Sequence, residues 1–448
     1  MIDTDTALAR CQDLVALAQE LGADAADAIA RADTSESVTV RLGQLEDVER
    51  SESEEIGLRV FVGKRSASIH TSDFAPGGLR ELAARAVEMA RHAPEDRHAG
   101  LAPPEALFDG DMPDLQLADR AELSPDAMRQ AALATEAAAR SVEGVTNSNG
   151  GAAGASRSVA ALATSNGFAR GYAGTGFSLS ASVIAGSGAE MQTDYASRSM
   201  RYREDLPTPE YIGAKAGRRA VARLRPASMP SRKLPVVFDP RIGGGLVGHL
   251  LGAMGAPAIA RKSSFLLGRE DEALFDSSLR IIEDPFVPRG LRSRPFDGEG
   301  VACTGRALVE DGRLTGWLTN VASADQLGLG LTGHASRGGG GSPGVGASNV
   351  HLEAGSLSPA GLMEDIEDGL YVTALFGQGV NMVTGDYSRG ATGFRIRKSE
   401  IAEPVAEITI AGNLLEMFKS LTPADDLETY RAVNVPTLRV DGMMVAGE

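Results

Sequence analysis

The sequence predicts an α+β protein in three parts: a small N-terminal αβ unit over 1–95, a hairpin-rich unit over 124–225, and a larger β-rich C-terminal domain over 234–448. Three observations predict it. The first hundred residues run helix, strands, helix, which makes a two-layer unit. Glycine is abundant, at 53 residues, while aromatics are 5% of the chain. So many glycines imply turns and close backbone approaches, which a helical bundle does not want. Residues 94–123 and 226–231 are rich in Pro, Asp, Ala and Ser without periodicity, and they read as linkers. A length of 448 residues allows two to four domains.

Residues 4–22 form an amphipathic helix, with Leu8, Cys11, Val15, Ala18 and Leu21 at helical spacing and Gly22 as its stop. Cys11 on that stripe reads as a small buried hydrophobe. Residues 37–42 and 56–62 alternate as strands. Residues 65–70 continue the second across a Gly63-Lys64 turn. Pro76 to about Arg91 is a helix with Leu79, Leu82, Ala83, Ala86, Val87 and Ala90 on one face. Ser124-Pro125 is an N-cap followed by Pro at the first helical position, and that helix runs to about Val142. Residues 145–191 alternate Gly, Ser, Thr and Ala with apolar positions, which fits antiparallel hairpins. A helix over 208–224 closes the second unit. In the third part, 234–238 is a strand and 242–253 a helix. The glycine run at 338–341 is an irregular or mobile loop.

Composition excludes several classes. No stretch approaches about 20 consecutive apolar residues, so no membrane helix is expected. The N-terminus has neither a basic nor an apolar leader region, and two cysteines cannot make a disulfide framework. These readings point to the cytoplasm. The net charge is −16, and no Lys/Arg cluster able to supply a basic face stands out, so nucleic acid is not an expected partner.

Local motifs are weak. The 338–341 run lacks the Gly-Lys-Ser/Thr ending of a phosphate loop. Gly243-Gly244-Gly245 follows a strand and opens a helix, the context for anion binding at a helix N-terminus, but nothing completes a nucleotide fingerprint. None of the six histidines is paired at i, i+4, so no local metal motif is encoded. No Gly-x-Ser-x-Gly elbow is present. Asp386-Tyr387-Ser388-Arg389-Gly390 reads either as cleft-lining polar residues or as a tight turn held by Asp386 and Gly390. Gly245, Gly248, Gly252 and Gly255 share one helical face. They weaken the helix by about 1 kcal/mol each relative to Ala, so tight packing against another backbone is expected there.

These residues resemble the TldE (PmbA) branch of the TldD/TldE peptidase family. The resemblance rests on 245–268, which includes His249 and Arg261-Lys262-Ser263-Ser264-Phe265-Leu266-Leu267. More specific are Gly377-Gln378-Gly379-Val380-Asn381 with Thr384-Gly385-Asp386-Tyr387-Ser388-Arg389-Gly390, and Glu407-Ile408-Thr409-Ile410-Ala411-Gly412-Asn413-Leu414. It covers essentially the whole chain. The resemblance implies a partnership with a TldD-type subunit. That branch carries His-Glu-x-x-x-His on a helix and a later cysteine, which hold zinc and move protons. In this chain His249 matches the first histidine, but Leu250 takes the glutamate position and Met254 the second histidine. Residues 432–437 contain no cysteine.

The resemblance therefore implies a non-catalytic subunit of a heterodimeric zinc metallopeptidase acting on unfolded or leader peptides. Zinc is expected in the partner, and no catalytic or metal-binding residue is expected in this chain. His249, Asp386 and Arg389 are its candidate substrate-cleft or interface residues. Two other readings stay open: a free-standing protein that binds peptides or gyrase without chemistry of its own, and an independent hydrolase built around Asp386-Tyr387-Ser388.

Overall fold

The first helix, α1 (Thr4–Glu20), starts where the Asp3 side chain accepts a hydrogen bond from the Thr6 amide at 2.7 Å. The computed structural model describes residues 2–447. A hairpin of two long strands follows, β1 (Ala25–Arg41) and β2 (Gln44–Val62), then β3 (Arg65–Thr71) and α2 (Pro76–His92). Helix α3 (Pro125–Arg140) begins at the Ser124 cap. It leads into β4 (Val145–Thr164), β5 (Ala169–Ala185) and β6 (Gln192–Met200), and α4 (Pro209–Ala222) closes the run.

The two N-terminal units share one sheet. Its order is β3-β2-β1-β4-β5-β6, because β1 pairs with β2 on one side and with β4 on the other, both antiparallel. The 94–123 segment bridges the units without separating their sheets. Strand periodicity assigns the faces. Ala26, Ala28, Ala30 and Ala32 of β1 pack under α1 and α2, while Val38 and Val40 of the same face pack under α3 and α4. All four helices thus cover one side. Small alanines let the helices sit close to the sheet.

The opposite face divides in two. Near the start of β1, Ile29, Leu162 and Phe168 pack on Phe296 of the third part. Beside them Asp27 and Arg59 are buried. Arg59 donates from Nε to Asp27 at 2.9 Å and from Nη1 to Glu299 at 3.1 Å, and Arg337 also pairs with Asp27. This buried charge network joins the sheet to the third part. The expected glycine loop is irregular but lies on the sheet: a Cβ at Gly57 would come within 1.6 Å of the Gly339 carbonyl oxygen. Farther along, the same face is open and lined by small hydroxyls. Ser37, Gly154, Ser178 and Ser199 stand in one cross-strand row.

The third part is built on a second six-stranded sheet. Its β7 (Arg232–Phe238) runs parallel to Asp368–Phe376 and antiparallel to Leu438–Ala446. Asp386–Arg397 and Glu400–Asn413 extend it. The expected 226–231 linker is packed in place: the Ala227 amide donates to Pro404 at 2.8 Å and Met229 is fully buried. Helix α5 (Pro240–Ala253) follows β7 and lays Leu246, Val247, Leu250 and Ala253 into the largest apolar core.

Candidate functional site

Asp239 caps α5, accepting from the Arg241 amide at 2.9 Å. Gly243, Gly244 and Gly245 therefore lie inside the helix, and its N-terminus is closed by a carboxylate rather than held open for an anion. The apolar residues of α5 point inward. Gly245, Gly248 and Gly252 point to solvent, and His249 is half-buried beside them.

The expectation of tight packing on this glycine face is corrected by the structure. A Cβ at Gly245 or Gly248 would meet nothing within 4 Å, and one at Gly252 would meet only Met382 Cε at 3.4 Å. At the C-terminal end of the row, a Cβ at Gly255 would meet Val345 at 3.0 Å. Most of the row is uncovered within this chain.

Met382 belongs to the segment 377–385 that joins Asp368–Phe376 to Asp386–Arg397. The tight turn lies here, not at 386–390. Asn381 accepts from the amides of Val383 and Thr384, and Gly385 takes a left-handed φ of 81°. Asp386 to Gly390 are strand residues. Alternation then turns Tyr387 into the core and Asp386 and Ser388 outward.

His249 and Tyr387 meet edge to face, with ring centroids 6.2 Å apart. Burial, and then the nearby Arg389 charge, hold the His249 imidazole below its ordinary pKa. Burial pushes the Tyr387 phenol up to about 12. Arg389 donates from Nε to the Phe376 carbonyl at 3.1 Å. Asp386 is exposed and is held by the Thr384 hydroxyl at 2.7 Å and the Asn413 amide at 3.2 Å. Those two bonds keep its carboxyl below the usual range. The structure thus gathers His249 and Arg389 around Tyr387, while Asp386 stands on the outward edge of the same strand. Phe376 and Val383 flank the group, 53% and 56% exposed. Sequence reading named Tyr387 only as part of a polar segment, not as a core ring against His249, and it missed the two apolar residues. The signal for Tyr387 was its alternation within 386–390.

A zinc site needs three or four imidazole, thiolate or carboxylate ligands. The α5 window offers His249 alone, since Leu250 and Met254 are fully buried in the apolar core. Cys11 and Cys303 are also buried, bonded to the Ala161 and Gly333 carbonyls, and burial pushes both thiols to about 12. Among the described residues, no three His, Cys, Asp or Glu side chains are placed to hold a metal ion. The residues present do not fit a zinc centre.

Sequence models of three successive domains match this chain: PmbA/TldA metallopeptidase domain 1 at residues 26–90, the central domain at 118–224, and the C-terminal domain at 231–447. The chain belongs to the PmbA (TldE) branch of the PmbA/TldD family. It is 38% identical to Metalloprotease PmbA of Escherichia coli O157:H7 over 98% of this chain and 96% of the relative. It is 34% identical to the Haemophilus influenzae PmbA homologue, over 97% and 94%. Among solved structures, a candidate modulator of DNA gyrase from Bacteroides thetaiotaomicron superposes with a TM-score of 0.91 at 27% identity, covering all of both chains. TldE from Thermococcus kodakarensis shares the fold, with a TM-score of 0.85 at 21% identity over 98% and 100%. No helix of the described residues is long and apolar enough to cross a membrane.

Proposed function

We propose that this chain is the non-catalytic TldE-type subunit of a cytoplasmic, two-subunit zinc peptidase, and that it helps cleave unfolded or leader peptides by positioning them for a TldD-type partner. One observation carries the reading. The α5 window that holds zinc ligands in the TldD pattern has turned Leu250 and Met254 into core side chains, while the glycine face beside His249 stays open.

Several features support a positioning role. An open glycine face lets another backbone approach closely. The exposed Phe376 and Val383 offer apolar contact at its edge. The serine-lined half of the N-terminal sheet presents a row of hydroxyl donors and acceptors, with Tyr195 at its far edge. An extended peptide is gripped through its backbone, so such a wall selects conformation over sequence. Holding it in line for attack can remove several kcal/mol of barrier, on the order of the effects seen in oriented intramolecular reactions. In this division of labour Asp386, Arg389 and His249 contact peptide or partner, and the partner supplies the zinc-bound water.

The test is a peptidase assay on a TldD-type subunit with and without this chain. Cleavage should require the mixture. Asp386→Ala and Arg389→Ala should slow the mixed complex without changing its zinc content, and the isolated chain should hold no stoichiometric zinc. Equal cleavage by the partner alone would sink the required-subunit reading and leave a free-standing peptide- or gyrase-binding protein as the better account.

A further inference from the structure

A hollow lies where β6, α4 and the first turn of α5 meet residues 430–432. It has a volume of about 240 Å3 and is lined by Arg198, Lys215, Arg219, Arg241, Tyr430 and Arg431, among others. Such a concentration of cations is unexpected in a chain of net charge −16. Arg241 is neutralised, since it pairs with Asp194 at 2.8 Å. The other four are not. Among the described residues, Arg198, Lys215, Arg219 and Arg431 have no carboxylate oxygen within 4.0 Å.

Their hydrogen bonds go to neutral groups. Arg219 donates to the Tyr195 carbonyl at 3.1 Å, Arg431 to the Arg241 carbonyl and to the Tyr430 hydroxyl, both at 3.1 Å, and Lys215 to the Tyr211 hydroxyl at 3.4 Å. The Arg198 guanidinium lies 3.2 Å over the Tyr430 ring, and its buried Nε has no hydrogen-bond partner. The nearest carboxylates lie beyond ion-pair range of these four: Asp239, Asp426 and Glu428 line an adjoining hollow that shares Lys215, Arg219 and Arg431. Asp239 caps α5, and Asp426 accepts from the amide and hydroxyl of Thr437. Burial, and then the charge of Arg241, push Arg219 below the usual guanidinium value.

We propose that this hollow is an anion-binding site for a multivalent phosphoryl ligand of about the size of diphosphate. Four cations held together with no carboxylate in direct contact repel one another, and the acidic groups at longer range offset only part of that repulsion. Planar guanidiniums match phosphoryl oxygens two at a time, and the ammonium of Lys215 adds a mobile point charge. Tyr195 and Tyr211, 53% and 46% exposed, provide aromatic surface for an organic group carried on the phosphate. The site does not depend on the peptidase reading, and it asks nothing of the α5 face.

Calorimetric titration of the full chain with pyrophosphate at about 0.1 M salt tests it. The expected result is one site per chain, weakened about tenfold or more in Lys215→Gln and in Arg431→Gln, as for loss of one charged hydrogen bond. Neither side chain has an ion-pair partner to orphan, and unchanged thermal midpoints would confirm folded variants. Arg80→Gln, which removes a surface partner of Glu20, should bind as the parent does. ADP binding more tightly than pyrophosphate identifies a phosphorylated organic ligand, whereas equal or weaker ADP binding identifies a free oxyanion. No binding up to about 10 mM pyrophosphate, equal weakening in Arg80→Gln, or citrate binding as tightly as pyrophosphate would overturn the proposal.

Discussion

Two helices of this molecule carry glycines along one face, and they use them in opposite ways. On α4, Gly213 and Gly217 let α3 lie against the helix backbone: a Cβ would come within 2.1 Å of the Thr135 carbonyl oxygen at the first and 2.7 Å of the Ala139 carbonyl oxygen at the second. On α5, Gly245 and Gly248 face nothing. Both helices lose stability to glycine by about 1 kcal/mol per residue relative to Ala. For α4 the close helix–helix packing returns it. For α5 no contact at Gly245 or Gly248 within the chain does, and in the proposed complex the partner would. Glycine spacing marks a close approach but not whether the approaching backbone belongs to the same chain.

The largest way to break this comparison is Gly213→Leu. The side chain has no room against α3, so destabilisation of about 3 kcal/mol or more is expected, read by urea denaturation. A small effect there would mean that the α3–α4 contact yields easily. Gly248→Leu should behave in the reverse sense. Folding is retained, but association with a TldD-type partner falls about tenfold, or 1.4 kcal/mol, if the glycine face is covered in the complex. Unchanged association would mean that this face stays in solvent.

The comparison sharpens with alanine. Gly245→Ala and Gly248→Ala should each raise the stability of the isolated chain by about 1 kcal/mol, because the methyl meets no neighbour and the helix propensity improves. Gly217→Ala, with a carbonyl in the way, should not. The smallest expected effect is a pH dependence at His249. Its folded pKa lies below the ordinary 6.5, so the unfolded chain takes up the proton first. Stability tied to neutral His249 is full above about pH 6.5 and is lost as the pH falls toward the folded value. His249→Asn should flatten the difference between urea midpoints measured at about pH 7.5 and about pH 5.5. An unaltered difference would mean that the ring is solvated in both states.

The five longer helices were legible in the sequence to within about two residues, because caps such as Ser124-Pro125 and apolar stripes such as that on α1 are local signals, whereas short helices of the third part such as Val321–Leu327 and Leu414–Lys419 were not read. Strand lengths were not. Residues 44–53 of β2 are exposed on both faces and are held to β1 by backbone pairing and exposed ion pairs such as Arg50–Glu36 rather than by apolar burial, so they show no alternation. The single sheet spanning both N-terminal units was also hidden, since the β1–β4 pairing joins residues more than a hundred positions apart. The 338–341 loop looked free in sequence because Gly57, its seat, lies on a distant strand.

The candidate sites divide along the same line. The sequence by itself determined the family. By resemblance it set Leu250 and Met254 where the TldD pattern has a glutamate and a histidine, and it marked His249, Asp386 and Arg389 as residues to watch, because each is written in a contiguous motif. Only the tertiary structure decided that Tyr387 joins His249, that the α5 glycines face outward, and that Arg198, Lys215, Arg219 and Arg431 converge in an acidic protein. Those four come from a strand, a helix and a loop more than two hundred residues apart in sequence at the extremes. Periodicity and capping are set by neighbours along the chain, whereas exposure and charge balance are set by whatever the fold brings alongside, which no local window contains.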